Sequence, residues 1–475
     1  MNSNSPADIP GYFWDPITRR YFKVQKRQYS SRDDAPNDEP WSLESVKRRK
    51  LDEEVAAEKA RMEARNMSRI TRSKALDEPL MGGFLAREYG HDVRDLQAAG
   101  FAQGLVMQCK VNTGQVYGQL SAMLICGKKD RLSLYSVLRR QLRTNDYPLG
   151  RDDRTGRIEI SQSNHQTTVF PEPDVLISDI KCNRSMTYAF VSAISVTNGF
   201  PAFWKIPLNP RSTSFNTIDL PIPIHRRKLS VSPNTICVSP TGQAFQCLVG
   251  TDFGLASLDA MDEMNLIVPT KRKVAGRTYP ESFADIFGVD YRVADPNVVF
   301  FGGRPGRLLI GDLRQDSYEW SSIQLPSSIA HVKAINDNQV LVAGLKNMMS
   351  VYDIRFCDRV GVNNNTITQN QKSGNPIVTM QEYRNPSRFT GGFDFDRGTG
   401  VAAAAHDDGK ISLYSVRSGR RLPSRDIDKI HCGYGQIPCL QFLTLEGDHT
   451  PTLFVGEGTD VVAYSFGVDN IDDEC

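Results

Sequence analysis

From about residue 84 onward, short apolar runs alternate with polar turns that contain glycine, aspartate and serine. The clearest example lies within residues 236–259, where the apolar run 245–250 is followed by a turn and then by a second run at 254–258. Apolar runs of this length, bounded by turn residues, predict β-strands rather than helices. The chain after residue 84 is therefore expected to be a β protein.

Seven stretches repeat this alternation and are expected to be equivalent units. They cover residues 104–138, 174–208, 236–259, 285–314, 330–355, 391–416 and 437–466. One small sheet cannot cover both of its faces, but sheets packed around an axis cover one another and leave only short edges. The pattern predicts a seven-bladed propeller over residues 84–468, followed by a polar tail at 469–475. Runs such as 340–344 suit the strands nearest the axis, and the polar stretch 141–165 is expected to be irregular.

Two units close on the same short signature, which we call the Asp-x-Arg boxes. Asp312 and Arg314 form the first box, Asp353 and Arg355 form the second, and the two aspartates are 41 residues apart. Blades of WD-repeat propellers recur about every 40–45 residues and usually end in a Trp-Asp-like dipeptide. We therefore predict an all-β fold, a seven-bladed WD-repeat β-propeller with an N-terminal arm.

The boxes favour docking rather than catalysis. An arginine two residues after an aspartate points to the same side of a strand, and its planar fork of donors suits carboxylates and carbonyls of a partner. Adjacent blades are expected to present both arginines on one face as a two-point contact. The alternative is that they are two unrelated solvated side chains.

Residues 1–80 form an N-terminal arm of different composition. Aromatic clusters on both sides of a turn at 15–18 predict a hairpin between Pro10 and Val24, and its aromatic side chains either pack on the propeller or bind a partner. A flexible linker is expected at 26–40. Strong helix formers at 44–75 predict a charged helix with a thin apolar stripe, which is either solvated or held by a partner.

Four consecutive basic residues, Lys47, Arg48, Arg49 and Lys50, lie at the start of the predicted helix. A compact positive run of this kind is typical of sequences that import receptors and polyphosphates bind, and an ordinary solvated helix face is the alternative. The run predicts a nuclear protein, with the cytoplasm left open as a second location. A second basic run at 225–228 is either a solvated loop or a contact for an acidic partner.

Composition narrows the class of protein further. The net charge of the 475-residue chain is only +2, so no global field for nucleic acid is expected, and direct nucleic-acid binding is not predicted. No apolar run approaches the roughly 18 residues that span a bilayer. Nine cysteines without a Cys-x-x-Cys pair indicate reduced core thiols of an intracellular protein.

Signatures of catalysis are missing from the sequence. It has no Gly-x-Ser-x-Gly elbow, no phosphate loop and no Cys/His cluster with metal-ligand spacing. The glycine-rich stretch 302–307 lies between two strands and is expected to be a hairpin turn, as is the stretch 406–409, where His406 precedes two aspartates. We therefore expect no enzyme activity, no metal and no cofactor.

Tandem Asp-x-Arg boxes at blade ends resemble those of the WD-repeat substrate receptors of cullin-4 RING ubiquitin ligases. The opening Pro10-Gly11-Tyr12-Phe13-Trp14-Asp15-Pro16, followed by Arg20-Tyr21-Phe22, is similar to the start of one receptor type, the cullin-4-associated factors of the fourth kind. In that family the boxed arginine faces the large propeller adaptor that links receptor to cullin. The chain departs from the pattern at Gly311 and Tyr352, which stand where tryptophan is usual.

The resemblance implies a function and a set of partners. Arg314 and Arg355 would contact the propeller adaptor of the cullin-4 ligase, with Asp312 and Asp353 as their supports. The protein would be a substrate receptor that recruits an unknown target protein for ubiquitination, and the helix at 44–75 is the candidate for insertion into the adaptor. The alternative is a nuclear WD-repeat scaffold subunit of a ribosome-assembly or RNA-processing complex.

Overall fold

The computed structural model describes residues 12–15, 20–23, 51–52, 55–56 and, with interruptions, 93–466. The interruptions are at 114–117, 129–130, 139, 152–157, 161–165, 169–174, 197–200, 209–215, 219–231, 242–244, 253, 270, 275–276, 281–284, 316–319, 357, 360–373, 434, 436, 447 and 449. Two compact units divide the chain, one formed by Met1–Arg72 with Val468–Cys475 and the other by Ser73–Gly467.

The first unit contains a two-stranded antiparallel hairpin. Strands β1 (Tyr12–Asp15) and β2 (Arg20–Lys23) pair with Phe13 opposite Phe22 and Trp14 opposite Tyr21. Residues 51–52 and 55–56 are helical, and the rest of the predicted helix at 44–75 lies outside the described residues.

The second unit begins with helix α1 (Val93–Gln103) and strand β3 (Leu105–Asn112). Ala98, Phe101 and Ala102 of α1 are buried and pack against the blades at the end of the chain. The Ser418 hydroxyl donates a 2.7 Å hydrogen bond to Asp95 in the first turn of the helix. Small side chains on the buried face bring α1 close to the sheet, and the sequence pattern gave no indication of this helix.

Seven sheets of four or five strands follow, and we number them as blades 1 to 7. Blade 1 contains β4 (Leu120–Lys128), β5 (Arg131–Leu138), β6 (Gln141–Arg151), β7 (Ile158–Ile160) and β8 (Gln166–Thr168). Blade 2 contains β9 (Val175–Cys182), β10 (Tyr188–Ser195), β11 (Pro201–Pro207) and β12 (Asn216–Ile218). Blade 3 contains β13 (Pro233–Val238), β14 (Phe245–Thr251), β15 (Gly254–Asp259) and β16 (Met264–Pro269).

A small hairpin precedes the next blade and comprises β17 (Lys271–Val274) and β18 (Arg277–Pro280). Blade 4 contains β19 (Asp285–Tyr291), β20 (Val298–Arg304), β21 (Arg307–Asp312), β22 (Ser321–Gln324) and, from farther along the chain, β26 (Asp358–Arg359). Blade 5 contains β23 (Ile329–Ala334), β24 (Gln339–Gly344), β25 (Met349–Asp353) and β27 (Val378–Thr379). Short 3₁₀ turns occur at Ile354–Phe356 and Ile427–Lys429.

The last two blades complete the ring. Blade 6 contains β28 (Phe393–Asp396), β29 (Val401–Ala405), β30 (Ile411–Ser415) and β31 (Arg421–Leu422). Blade 7 contains β32 (Leu440–Leu443), β33 (Thr452–Glu457) and β34 (Asp460–Phe466), and its fourth strand is β3 from the start of the unit. Leu105 lies opposite Phe466 and Asn112 opposite Asp460 in this pairing. The seven-bladed β-propeller predicted from the sequence is confirmed.

The structure corrects the first predicted unit. Residues 104–138 were expected to form one blade, but β3 belongs to blade 7 and β4 begins blade 1. The stretch 141–165, expected to be irregular, contains the regular strands β6 and β7. Strand β6 is polar along most of its length, so the pattern of apolar runs does not predict it.

The strands nearest the axis also differ from the expectation. Residues 340–344 lie on β24, the second strand of blade 5, and Val340, Leu341 and Val342 are fully buried between blades. The first strand of each blade instead lines a central channel of about 680 Å³. First strands therefore carry polar side chains, because their inner side faces a cavity rather than a packed core.

Candidate functional site

The two Asp-x-Arg boxes lie at equivalent places in blades 4 and 5. Asp312 ends β21 and Asp353 ends β25, and each of these is the third strand of its blade. Equivalent strands of a propeller run in the same direction, so both boxes emerge at the same side of the ring. We call this side the box face and the other side the opposite face.

In blade 4 one carboxylate folds the turn and holds the guanidinium. Asp312 Oδ1 accepts hydrogen bonds from Arg314 N at 3.0 Å and from Arg314 Nε at 2.8 Å, and Oδ2 accepts from Nη2 at 2.7 Å. Arg314 Nη2 also donates to Asp295 Oδ2 at 2.9 Å. The arginine side chain remains 58% exposed. It is therefore held in one orientation and still accessible.

Blade 5 repeats this arrangement. Asp353 Oδ1 accepts from Arg355 N at 2.9 Å and from Arg355 Nε at 3.0 Å, and Nη2 pairs with Oδ2. The Asp353 side chain is only 4% exposed, whereas that of Arg355 is 62% exposed. A buried carboxylate with an exposed guanidinium fixed above it is a rigid donor group on the surface.

Hydrogen bonds through the first hairpin loops of blades 4 and 5 connect the two boxes. Ala294 N, in the first hairpin loop of blade 4, donates to Asp337 Oδ1 in the first hairpin loop of blade 5 at 2.9 Å. Each box also bonds to the hairpin loop of its own blade, from Leu313 N to Asn297 O at 2.8 Å and from Ile354 N to Asn338 O at 2.9 Å. The two arginines thus belong to one connected rim.

Electrostatics keep both pairs charged at neutral pH. The Arg314 hydrogen bonds hold the pKa of Asp312 below its ordinary value, and those of Arg355 do the same to the pKa of Asp353. The pKa of each arginine is raised in turn by its aspartate. Protonation of the aspartates would require a pH below their ordinary pKa of about 4.

Position 311 is glycine rather than the usual tryptophan because the Trp320 ring occupies the space beside it. A side chain at Gly311 would meet the ring of Trp320 at 2.6 Å. Trp320 is buried, packs edge-on against Phe301 at 5.6 Å and donates from Nε1 to Asp312 O at 3.0 Å. Trp320, immediately before β22, therefore supplies the indole that braces the first box. In blade 5, Tyr352 is itself buried beside the box.

The first strands of the blades carry a set of polar residues that sequence reasoning missed. Side chains on the first strands of four blades accept hydrogen bonds from the backbone of the next first strand along the ring. The donor and acceptor pairs are Ile236 N to Asp179, Ala334 N to Asp290, Phe442 N to Asp394 and Ile125 N to Gln441, all between 2.7 and 2.9 Å. A single carboxylate between apolar residues, as at Asp290 and Asp394, was the signal available in the sequence.

Lys333 neutralises part of this acidic set. Its Nζ lies 2.9 Å from Asp394 Oδ1. Burial lowers the pKa of Lys333, but Asp394 and Asp290 outweigh that effect and raise it above its ordinary value. Nearby, burial lowers the pKa of His331 to about 3, with Lys333 adding to the effect, so that this imidazole is neutral. His331 stacks on Phe393 with 4.9 Å between ring centroids.

The remaining predicted features fall into two groups. Lys47, Arg48, Arg49 and Lys50, the run at 225–228 and, from the opening string, Pro10, Gly11 and Pro16 lie outside the described residues. The stretches 302–307 and 406–409 are hairpin turns, as predicted: Gly306 N donates to Gly303 O at 2.9 Å. His406 is buried and its Nε2 lies 3.0 Å from the Tyr414 hydroxyl.

Within the described part of the chain, no group of three or more His, Cys, Asp or Glu side chains is arranged to hold a metal ion. None of the helices described is long and apolar enough to cross a membrane. The described cysteines are free thiols, and Cys126, Cys247, Cys432 and Cys439 are buried.

Comparison with solved structures finds a similarity of shape. The WD40 β-propeller domain of Doa1 is similar to this chain with a TM-score of 0.49 and 9% sequence identity, covering 76% of this chain and 97% of that one. No family model matches the sequence. No curated protein matches it either. The blade count therefore rests on the strand pairing of this chain.

Proposed function

We propose that this protein is the substrate receptor of a cullin-4 RING ubiquitin ligase, with the box face as its contact for the propeller adaptor. The observation that carries the proposal is the repeated clamp in blades 4 and 5. In each blade an aspartate folds the turn and orients an arginine that remains more than half exposed. Such preorganised guanidinium groups lose little conformational freedom when they bind carboxylates or carbonyls.

A receptor of this kind contributes no bond-making group. It raises the effective concentration of a target near the ubiquitin-charged enzyme by holding both in one complex. The propeller suits this task because its two faces are separate surfaces, so an adaptor on the box face leaves the opposite face open to a target protein.

The test is recovery of the adaptor with the full-length chain. Arg314→Ala combined with Arg355→Ala is expected to weaken co-purification of the cullin-4 propeller adaptor at least about tenfold, since loss of central charged anchors costs 2 kcal/mol or more. Arg184→Ala is the matched control, because Arg184 is exposed on the first hairpin of blade 2, on the same face but in a different blade. Undiminished recovery of the adaptor by a folded double variant would refute the proposal.

Nuclear localisation is a second, separate proposal based on the basic run Lys47–Lys50. A fluorescent fusion in which these four residues are changed to alanine should lose nuclear accumulation. The same affinity isolation addresses the alternative function, a nuclear scaffold. Recovery of ribonucleoprotein components without adaptor or cullin would favour that scaffold role over the ligase role.

A further inference from the structure

An aromatic and cationic cluster lies at the mouth of the channel on the opposite face. The rings of Phe287 and Phe389 stack with 4.1 Å between centroids and 22° between planes. The Arg304 guanidinium lies over both rings, 4.9 Å from the centroid of Phe389 and 5.6 Å from that of Phe287. The two phenyl rings are only half-buried and line the channel. We call these three residues with Arg388 the mouth cluster.

The loop that carries Phe389 and Arg388 is fixed in place. Asn385 is 1% exposed, and its side chain accepts from Arg388 N at 3.0 Å and donates to Arg388 O at 2.8 Å. The same loop is fastened to the second hairpin of blade 5, where Asn347 N donates to Asn385 O at 3.1 Å and Lys346 N to Pro386 O at 3.2 Å. The cluster is therefore preorganised rather than formed on binding.

The described side chains at this mouth are mainly positively charged. Arg304 and Arg388 are exposed, and Lys346 is exposed on the hairpin that supports the loop. The carboxylate paired within the cluster is Asp285, 3.0 Å from Arg304 Nε. Farther out, Asp408 on the second hairpin of blade 6 lies 4.0 Å from Lys410 Nζ, and Glu382 lies 3.7 Å from Arg421. Among the residues that the structure describes, the cations around the phenyl rings thus exceed the carboxylates that pair with them.

We infer that the mouth cluster binds an acidic peptide segment of the target, with an apolar or aromatic side chain against Phe287 and Phe389 and carboxylates on Arg388 and Arg304. A channel of about 680 Å³ has room for one or two side chains of such a segment. Aromatic side chains and arginines are the groups that most often dominate peptide and protein recognition. The inference rests on the proposed function only in calling this segment part of a target, since peptide binding needs no adaptor.

The experiment uses the purified full-length chain, without adaptor, to select from a displayed library of random dodecapeptides. Selected peptides are expected to be acidic and to carry an aromatic or leucine residue next to the acidic positions. For the strongest peptide, Arg388→Glu is expected to weaken binding at least about tenfold and Phe389→Ser at least about fivefold, as measured by fluorescence polarisation. Arg140→Glu is the control, because Arg140 is exposed on the equivalent hairpin of blade 1 on the same face, and it should change affinity less than about twofold.

Several outcomes would overturn the inference. Selection of neutral or basic peptides, equal binding by wild type and Arg388→Glu, or binding of a ten-residue oligouridylate in place of peptides would each do so. Thermal unfolding verifies that each variant is folded. Arg388→Glu should leave recovery of the adaptor unchanged, whereas the Arg314/Arg355 double variant should leave peptide binding unchanged, so the two proposals fail separately.

Discussion

Lys333 on β23 donates across the channel wall to Asp394 on β28, so that an ion pair with 2.9 Å between Nζ and Oδ1 joins blades 5 and 6. Asp394 also accepts a 2.8 Å hydrogen bond from Phe442 N of blade 7. One carboxylate therefore connects three consecutive blades. Its removal should affect the ring more than the loss of a surface ion pair would.

The first prediction follows from this contact. Asp394→Ala should lower the free energy of unfolding by about 2–4 kcal/mol, because it leaves the Lys333 ammonium and the Phe442 amide without their acceptor. Asp394→Asn should cost less, since an amide oxygen can still accept from Phe442 N. Combining Asp394→Asn with Lys333→Met should restore part of the loss. Urea unfolding gives these values, and wild-type stability of Asp394→Ala would contradict the account.

The second prediction concerns the brace under the first box. Gly311→Ala should destabilise the protein by about 1–3 kcal/mol because its Cβ would overlap the Trp320 ring. Gly100→Ala is the matched control: apart from the chain neighbours and the backbone of its own helix, no atom lies within 4 Å of a Cβ at that position, so the change should stabilise by about 0.5–1 kcal/mol. Thermal unfolding of both variants measures the difference, and equal effects of the two changes would show that Trp320 is not the cause.

The third prediction concerns pH. The pKa of His331 is lowered to about 3 in the folded protein, whereas an unfolded chain has the ordinary value near 6.5. Between these values the unfolded chain binds a proton that the folded one does not, so stability falls as pH falls below 6.5. His331→Gln should remove about 1 kcal/mol of the loss in stability between pH 7 and pH 5.5.

Urea unfolding at the two pH values measures this contribution, and His431→Gln, at an exposed position, provides the control for loss of an imidazole. The same pH dependence in wild type and His331→Gln would show that His331 takes up its proton in the folded protein.

The fourth prediction separates charge from geometry in the second box. Arg355→Lys keeps the positive charge but cannot reproduce the fork that bonds to both oxygens of Asp353. We expect it to weaken adaptor binding nearly as much as Arg355→Ala, with little change in melting temperature because the side chain is mostly exposed. Surface plasmon resonance with immobilised adaptor gives the affinities. Full binding by the lysine variant would mean that charge alone is recognised.

The fifth prediction concerns thiol reactivity. A hydrogen bond from Cys126 lowers the pKa of Cys182 in spite of burial, whereas burial raises the pKa of Cys439 to about 12. Since the thiolate is the reactive form, iodoacetamide at pH 7.5 should modify Cys182 well before Cys439. Cys126→Val should slow the modification of Cys182. Peptide mass spectrometry gives the order, and earlier labelling of Cys439 would contradict it.

Much of the fold could be predicted because local pattern and global architecture agree. The runs at 298–301, 340–343 and 401–405 are second strands buried on both sides, so they are continuously apolar and stand out in the sequence. Strand β6 could not be found in this way because it is polar, and β3 could not be assigned because its partners lie more than 300 residues away. Pairing across the ends of a chain leaves no local signal.

The boxes were predictable in position because Asp312 and Asp353 end apolar strands one repeat apart. The sequence could not predict that the Trp320 ring occupies the space of a tryptophan at position 311, since this depends on a contact between β21 and the residue just before β22. Phe287 and Phe389 are distant in the chain and belong to different blades, so their stacking also had no sequence signal. Sites built from one strand end can be predicted, whereas sites built between blades need the structure.

Completion of blade 7 by β3 has a consequence for biosynthesis. A ribosome releases residues 105–112 long before it makes 452–466, so β3 must wait for most of the polypeptide before its partner strand exists. Until then the nascent molecule is an open arc with an unpaired edge. An N-terminal truncation can preserve the closed ring only if it ends before Leu105, because a chain that begins later lacks part or all of β3, the fourth strand of blade 7.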